Sequence, residues 1–213
     1  MIIIYYNYIA ASSFSISDYW DYGLPQSYLQ YLLRFKNEHD ALLSVRGRLL
    51  LKKIINKEFN AQLDFQSIAY SQFGKPFLNN SCFDFSISHA GDVVACAVSD
   101  TGPIGIDLER VHQITIADYK EQMTAFEWDH LINSSEQNAF FYYWTQKEAV
   151  LKAIGIGLGI ELNSFEVISG TTIIKGDKWF VAPIKLPPAY ICHVASDKNI
   201  ETAALTLKEI CFD

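Results

Sequence analysis

Cysteine is scarce in this chain: 213 residues contain 4, at Cys82, Cys96, Cys192 and Cys211, with no CxxC pair among them. That excludes a disulfide-stapled miniprotein and offers neither a zinc site nor a thioredoxin-like motif. Reduced thiols of a cytosolic protein are the ordinary reading. Long apolar runs are also missing, and none approaches the roughly 18–20 residues a membrane-spanning helix needs. The apolar start, residues 1–11, has no basic leader and is broken by Asn7, so it reads as buried strand, not signal peptide. No low-complexity segment, no short repeat and no GxSxG elbow is present. Charged residues are only 19%, too few for a disordered tail, and the net charge of −7 argues against a general nucleic-acid binder.

What the chain does have is apolar and aromatic bulk. Half of it is hydrophobic, with 14 Phe, 12 Tyr and 4 Trp, enough to bury a sizeable core. At about 150 residues per domain, the length fits one large domain or two small ones. The charge is divided unevenly. Residues 1–103 carry 8 basic and 9 acidic side chains; residues 104–213 carry 9 basic and 15 acidic. Seven of the first eight basic residues lie between Arg34 and Lys57. Each could be a solvated helix face, yet the cluster as a whole suits a phosphate or an acidic protein.

The hydrophobic pattern predicts a strand over 2–9, a loop over 14–24, and two helices from 27 to 59 broken near 37–40. Gly74-Lys75-Pro76 is a turn. Phe83, Phe85 and Ile87 alternate as in a strand, and Gly91-Asp92 joins it to the apolar run 93–98. After a second turn at Gly102-Pro103, Ile104, Ile106 and Leu108 alternate, which leaves Gly105, Asp107 and Glu109 on the opposite face. Helices are expected over 117–132 and 136–154, the latter ended by Gly155 and Gly157. Short strands follow at 165–168, 171–174, 178–182, 189–195 and 202–207. The mixed order predicts an α+β fold, with Gly102-Pro103 as the best boundary.

Four constellations could carry chemistry. Asp107-Leu108-Glu109 puts two carboxylates on one strand face, able to converge on Mg²⁺ or simply to sit on an edge strand. Glu148 and Lys152, four apart on a helix, are neighbours that could equally form a surface ion pair. Phe85-Ser86-Ile87-Ser88-His89-Ala90-Gly91 ends a strand in a hydroxyl, an imidazole and turn amides, a set that suits phosphate oxygens. Adjacent strand residues point to opposite faces, so a serine-hydrolase triad is a poor fit. Lys75, held by its rigid turn, is a point charge for a phosphate or an ordinary surface lysine.

Their order and spacing say more than any one alone. Gly74-Lys75-Pro76, Phe85-Ser-Ile-Ser88-His89, Pro103-Ile-Gly-Ile-Asp107-Leu-Glu109 and Trp144-Thr-Gln-Lys147-Glu148-Ala149-Val-Leu-Lys152-Ala153 follow one another. From about Phe35 to Val167 the chain closely resembles the 4′-phosphopantetheinyl transferases of the surfactin-synthetase-activating (Sfp) type, its last segment in the WxxKEA form of their signature. The resemblance implies an α+β pseudodimer of two similar halves, residues 1–103 and 104–213, with the site in the cleft between them. It implies Mg²⁺-dependent transfer of the phosphopantetheine arm of coenzyme A to a serine of an acyl or peptidyl carrier protein, releasing 3′,5′-adenosine bisphosphate. A cytoplasmic monomer is expected, with no membrane or nucleic-acid partner.

On this likeness Asp107, Glu109 and Glu148 hold the metal, and Glu148 or a metal-bound water takes the serine proton. Lys152 faces a CoA phosphate, and Lys75, Ser88, His89 and Ser44 match positions that hold CoA phosphates. There are departures. Where some relatives carry lysines before the first long helix to grip the 3′-phosphate of CoA, this chain has Tyr28 and Tyr31; Arg34, Lys36, Arg46 or Arg48 could compensate. Ala90 stands where Ser is common. Two other classes compete with the transferase: a non-catalytic CoA- or carrier-binding module, and a Mg²⁺-dependent phosphoesterase acting on CoA.

Overall fold

The computed structural model describes residues 1–9, 19, 22–134, 138–200 and 205–212. The chain winds the same way twice. Strand β1 (Ile2–Tyr8) leads through a short helix α1 (Gln26–Leu32) to the long helix α2 (Glu38–Glu58). A small hairpin, β2 (Ile68–Tyr70) and β3 (Pro76–Leu78), follows, and then the pair β4 (Asp84–Ala90) and β5 (Val93–Ser99). The second pass begins with β6 (Ile104–Arg110), crosses helices α3 (Ala125–Asn133) and α4 (Ala139–Ile154), and closes with β7 (Thr171–Ile174), β8 (Asp177–Pro183) and β9 (Tyr190–Ser196). A last strand, β10 (Leu205–Glu209), returns to the first sheet.

The two sheets have orders β10-β1-β5-β4 and β6-β9-β8-β7. In each, the first strand pairs antiparallel with the last strand of its pass, which in turn pairs with the strand before it. This repeated α+β unit is a pseudodimer. β10 adds in parallel to the free edge of β1, with Ile2 opposite Leu205.

Side-chain alternation decides the layers. On β1, Ile3 and Tyr5 point to one face and join Val45, Leu49 and Leu50 of α2. Ile2 and Ile4 point to the other and meet Ile104, Ile106 and Leu108 of β6 with Cys192 and Val194 of β9. The sheets therefore pack against each other, α2 covers the outer face of the first, and α4 covers the outer face of the second through Ala149, Val150 and Ala153. β5 is buried along its whole length, Val-Val-Ala-Cys-Ala-Val-Ser, because it faces α2 on one side and the second sheet on the other.

Local signals set the helix ends. The Asn37 side chain caps α2 by accepting from the His39 amide at 3.0 Å. Thr124 and Glu127 cap α3 reciprocally, and Gly155, at φ 76°, stops α4 in the left-handed conformation. Two expectations are revised. The helix expected over 117–132 is split into a 3₁₀ segment (Ile116–Gln122) and α3, because Thr124 starts a new helix with its own cap. Residues 165–168 form no strand: Phe165 plugs the core beside α4 and only Ile168 makes an isolated bridge, to Thr171. The 14–24 loop and residues 202–204 of the last strand lie mostly or wholly outside the described residues.

Candidate active site

β4 and β6, the facing edges of the two sheets, run side by side without being ladder partners. Polar side chains close the seam. The Ile104 amide donates to Asp84 Oδ2 at 2.8 Å, and the Leu108 amide to Ser88 Oγ at 3.4 Å. Gly105 lets α4 settle directly on β6: a Cβ there would lie 2.0 Å from the Ala149 carbonyl oxygen and 2.4 Å from the Ala153 nitrogen. That close approach sets Lys152 and Glu148, on one helical stripe, above Asp107.

The centre is a three-residue contact. Lys152 Nζ donates to Asp107 Oδ1 at 2.5 Å and to Ser88 Oγ at 3.0 Å. Ser88 donates to the same Asp107 oxygen at 3.0 Å. Asp107 is 4% exposed, and its second oxygen, Oδ2, is buried with no hydrogen-bond partner among the described residues. Around it stand two half-buried carboxyl groups. Burial first, then the charge of Asp107, pushes the Glu109 carboxyl up to about 7. The same two causes, in the same order, raise Glu148, while Lys152 opposes. Two raised carboxyl groups beside a buried aspartate mark a site short of positive charge.

Among the described residues no three His, Cys, Asp or Glu side chains converge as a protein metal cage would. The donors nevertheless suit Mg²⁺, which binds oxygen, dehydrates reluctantly, and completes its shell with water and substrate phosphate. The unpartnered Asp107 Oδ2 and the two raised carboxyl groups are the observations that fit it.

A cavity of about 290 Å³ opens beside this centre, with Lys75, Ser86, Glu148 and Lys152 on its wall. Across Pro76, Phe85 and Ile87 it adjoins a second, of about 460 Å³, lined by Tyr28, Ser44, Arg48, Tyr70 and His89 among others. The predicted residues thus divide. Asp107, Glu109, Glu148, Lys152 and Ser88 gather at the seam. Ser44 and His89 stand in the second cavity, where Ser44 Oγ is 2.7 Å from the Tyr28 hydroxyl. The His89 imidazole is drawn below the ordinary histidine range by partial burial and by Lys152.

Lys75 lines the first cavity with its stem, but its ammonium is engaged elsewhere. It donates to Asp84 Oδ2 at 2.6 Å, to the Ile104 carbonyl at 3.3 Å and to the Ala153 carbonyl at 3.2 Å. Within the signature helix, Lys147 turns away from the cavity into a buried pair with Glu127 and donates to the Leu162 carbonyl at 2.7 Å. Trp144 packs on Tyr119 and Phe140. Tyr70 and His193 escape a reading by motif. Tyr70 reaches the second cavity from β2, and His193 is paired with Asp107 across β6 and β9. Only strand register, which needs the partner strand to be known, could have flagged His193.

Two family models match the chain. The family described as "4'-phosphopantetheinyl transferase, N-terminal" matches residues 20–101, and the "4'-phosphopantetheinyl transferase superfamily" matches residues 103–190. The chain is 32% identical over 197 residues to 4'-phosphopantetheinyl transferase gsp of Aneurinibacillus migulanus, covering 85% of this chain and 81% of that one. It is 35% identical over 140 residues to 4'-phosphopantetheinyl transferase Sfp of Bacillus subtilis, covering 63% of this chain and 61% of that protein. The L-aminoadipate-semialdehyde dehydrogenase-phosphopantetheinyl transferase of Xenopus laevis is 29% identical over 154 residues, with 64% and 51% covered. The chain belongs to the 4'-phosphopantetheinyl transferase family, in its surfactin-synthetase-activating type, and is an enzyme of the transferase class.

Proposed function

We propose that this protein transfers the 4′-phosphopantetheine arm of CoA to a serine hydroxyl of an acyl or peptidyl carrier protein and releases 3′,5′-adenosine bisphosphate. The observation that carries the reading is the Lys152–Ser88–Asp107 contact, flanked by Glu109 and Glu148 and opening into the paired cavities. Asp107, Glu109 and Glu148 would hold Mg²⁺, which when bound neutralises charge on the CoA pyrophosphate. The remaining roles belong to the chain itself. Lys152 has a third N–H beyond those given to Asp107 and Ser88, and it offers that donor to a phosphate oxygen. Ser88 fixes where the ammonium sits. Glu148, or a metal-bound water beside it, would take the serine proton.

On this reading residues 1–103 supply the nucleotide end of the groove through Ser44 and His89, with the stem of Lys75 beside the other end, and residues 104–213 supply the carboxylates. The protein acts as a cytoplasmic monomer, its two halves doing the work of two subunits. Among the described residues no helix is long and apolar enough to cross a membrane.

The test is intact-mass spectrometry of a panel of apo carrier proteins incubated with the protein, CoA and Mg²⁺, with an EDTA control. A metal-dependent gain of one phosphopantetheine arm is expected. CoA cleaved with no carrier modified would overturn transfer in favour of a phosphoesterase.

A further inference from the structure

The seam between β4 and β6 is closed at both ends. Lys75 and Asp84 hold one of them. With Asp84 beside Ile104 and Ser88 beside Leu108, the far end of β4 comes level with Arg110. There the turn that joins β4 to β5 sits against the second half. Gly91 takes φ 54°, and a Cβ on it would lie 2.7 Å from Arg110 Cδ and 2.8 Å from the Tyr190 hydroxyl oxygen. Arg110 and Tyr190 are ladder partners on β6 and β9, so they enclose the turn as a pair. The Asp92 amide donates to the Tyr190 hydroxyl at 3.0 Å, and Asp92 Oδ2 lies 3.5 Å from Arg110 Nη1.

The same turn is gripped from the first half. His39, in the first turn of α2, puts Nε2 3.0 Å from the Gly91 carbonyl oxygen and 3.3 Å from Asp92 Oδ1. A carbonyl only accepts, so Nε2 carries a proton, and Asp92 shares it. The Ile9 amide donates to the Asp92 carbonyl at 2.7 Å. Asp92 thus has α2 on one carboxylate oxygen and β6 on the other. The side chains of His39, Asp92 and Arg110 are 31%, 33% and 55% exposed. Ion pairs so open to water add little to stability. What they fix is position.

The neighbours of the turn show what is positioned. His89, two residues before Gly91, stands in the second cavity, and α2 carries Ser44 into the same cavity. Glu109, one residue before Arg110, flanks Asp107. The His89 imidazole, lowered by burial and by Lys152, also feels Asp40 and His39, so the first turn of α2 lies close to it. One carboxylate therefore joins the helix and the turn that present Ser44 and His89 to the strand that presents Glu109.

We infer that Asp92 is a positioning residue: bridging His39 and Arg110, it sets how far Ser44 and His89, at the nucleotide end of the groove, stand from Glu109 at the carboxylate end. The inference rests on the transferase reading above. It goes beyond that reading because none of the three bridging side chains lines either cavity.

The experiment compares the wild type with Asp92→Ala, His39→Ala and His39→Gln. CoA is titrated by calorimetry, Mg²⁺ is titrated against the melting temperature, and transfer to one apo carrier protein is followed alongside. In Asp92→Ala the CoA Kd and the Mg²⁺ midpoint should both rise about 3- to 10-fold, below the roughly 100-fold that a misplacement of about 1 Å costs. The melting temperature without ligands should change little. His39→Ala breaks the same bridge from α2 and should match it. His39→Gln, whose amide offers an N–H in place of Nε2–H, should recover most of the affinity. Adding Arg110→Ala to Asp92→Ala should change little more, as expected of one linked unit. Two unmoved constants in Asp92→Ala overturn the inference, and so does a rise in only one, since the turn would then serve a single half. A lowered melting temperature with both constants intact overturns it as well, by leaving the turn a purely structural role. His39→Gln no better than His39→Ala denies the bridge its arm on α2. A wild type that binds CoA and Mg²⁺ but transfers nothing overturns the transferase reading instead, and the binding test of Asp92 still stands.

Discussion

A buried carboxylate oxygen with no partner is the feature of Asp107 that a metal would use, and it can be tested away from activity. Asp107→Asn keeps the shape and removes the charge. Transfer should fall by about 100-fold or more, the scale of losing one preorganised electrostatic group. Added Mg²⁺ should raise the wild-type melting temperature by mass action and leave the Asn variant unmoved. Equal Mg²⁺ shifts in both would take Asp107 out of the metal site. His193 makes a second case at this scale. It is fully buried, its Nδ1 is 2.7 Å from Thr145 Oγ1, and its Nε2 has no partner among the described residues. Thr145 lies 2.7 Å from the Phe141 carbonyl. With the hydroxyl proton on that carbonyl, Nδ1–H donates to Thr145 and Nε2 stays bare. Protonating Nε2 would bury a charge with no acceptor, and burial draws this imidazole from 6.5 down to about 4. The folded state then binds the proton less readily than the unfolded chain, so stability is full above about 6.5 and is lost as pH falls toward about 4. The loss is on the order of 3 kcal/mol, taking about 1.4 kcal/mol per unit. His193→Gln should flatten the melting temperature between those pH values; an unchanged acid slope would mean that another group carries it.

At the scale of elements, the signature helix shows what sequence can and cannot disclose. Glu148 and Lys152 were legible as one stripe because four residues make about one turn. Lys147, written into the same motif, was not legible as structural. α4 buries Phe140, Phe141, Thr145, Ala149, Val150 and Leu151, an apolar girth so wide that its period does not single out an inner face. What Lys147 does depends on Glu127, twenty positions away, whose carboxylate completes the α3 cap and accepts from the Lys147 ammonium. Lys147→Met should therefore destabilise the fold by about 3–5 kcal/mol, by stranding a buried carboxylate. The double variant with Glu127→Leu should recover part of that loss in chemical denaturation, and a purely additive double variant would deny the pairing. Gly105 was placed correctly on the face of Asp107 and Glu109, but its reason is a contact between elements. Gly105→Ala must lift α4 off β6, costing about 1–3 kcal/mol. It should also lower kcat, because Lys152 and Asp107 are positioned by that contact. Wild-type kcat and melting temperature in this variant would show that α4 is not seated by Gly105.

For the whole molecule the question is how two sheets that share no ladder along β4 and β6 keep the groove open at a fixed width. The expectation of a pseudodimer came from likeness, and the motif order carried it. The return of β10 to β1 was not legible, because a short strand paired across the length of the chain leaves no local trace. Nor was the engagement of Lys75, since a lysine in a turn looks the same whether it faces a ligand or the chain. Its ammonium joins β4 through Asp84, the start of β6 through Ile104, and the end of α4 through Ala153, while Asp84 also receives the Ile104 amide. One lysine and one aspartate thus tie the first pass to both the strand and the helix that carry Asp107, Glu148 and Lys152. Lys75→Met should lower stability by about 1–3 kcal/mol, the range for stranding a partly buried charged partner. Asp84→Asn, which removes the other half of the tie, should produce a similar fall in stability and kcat, and the double variant should add little to either single change. A lysine that instead grips CoA makes a different forecast: Lys75→Met would raise the CoA KM with an unchanged melting temperature, and Asp84→Asn would not reproduce the effect. Melting curves and CoA titrations on the three variants separate a clasp between the halves from a contact with the substrate.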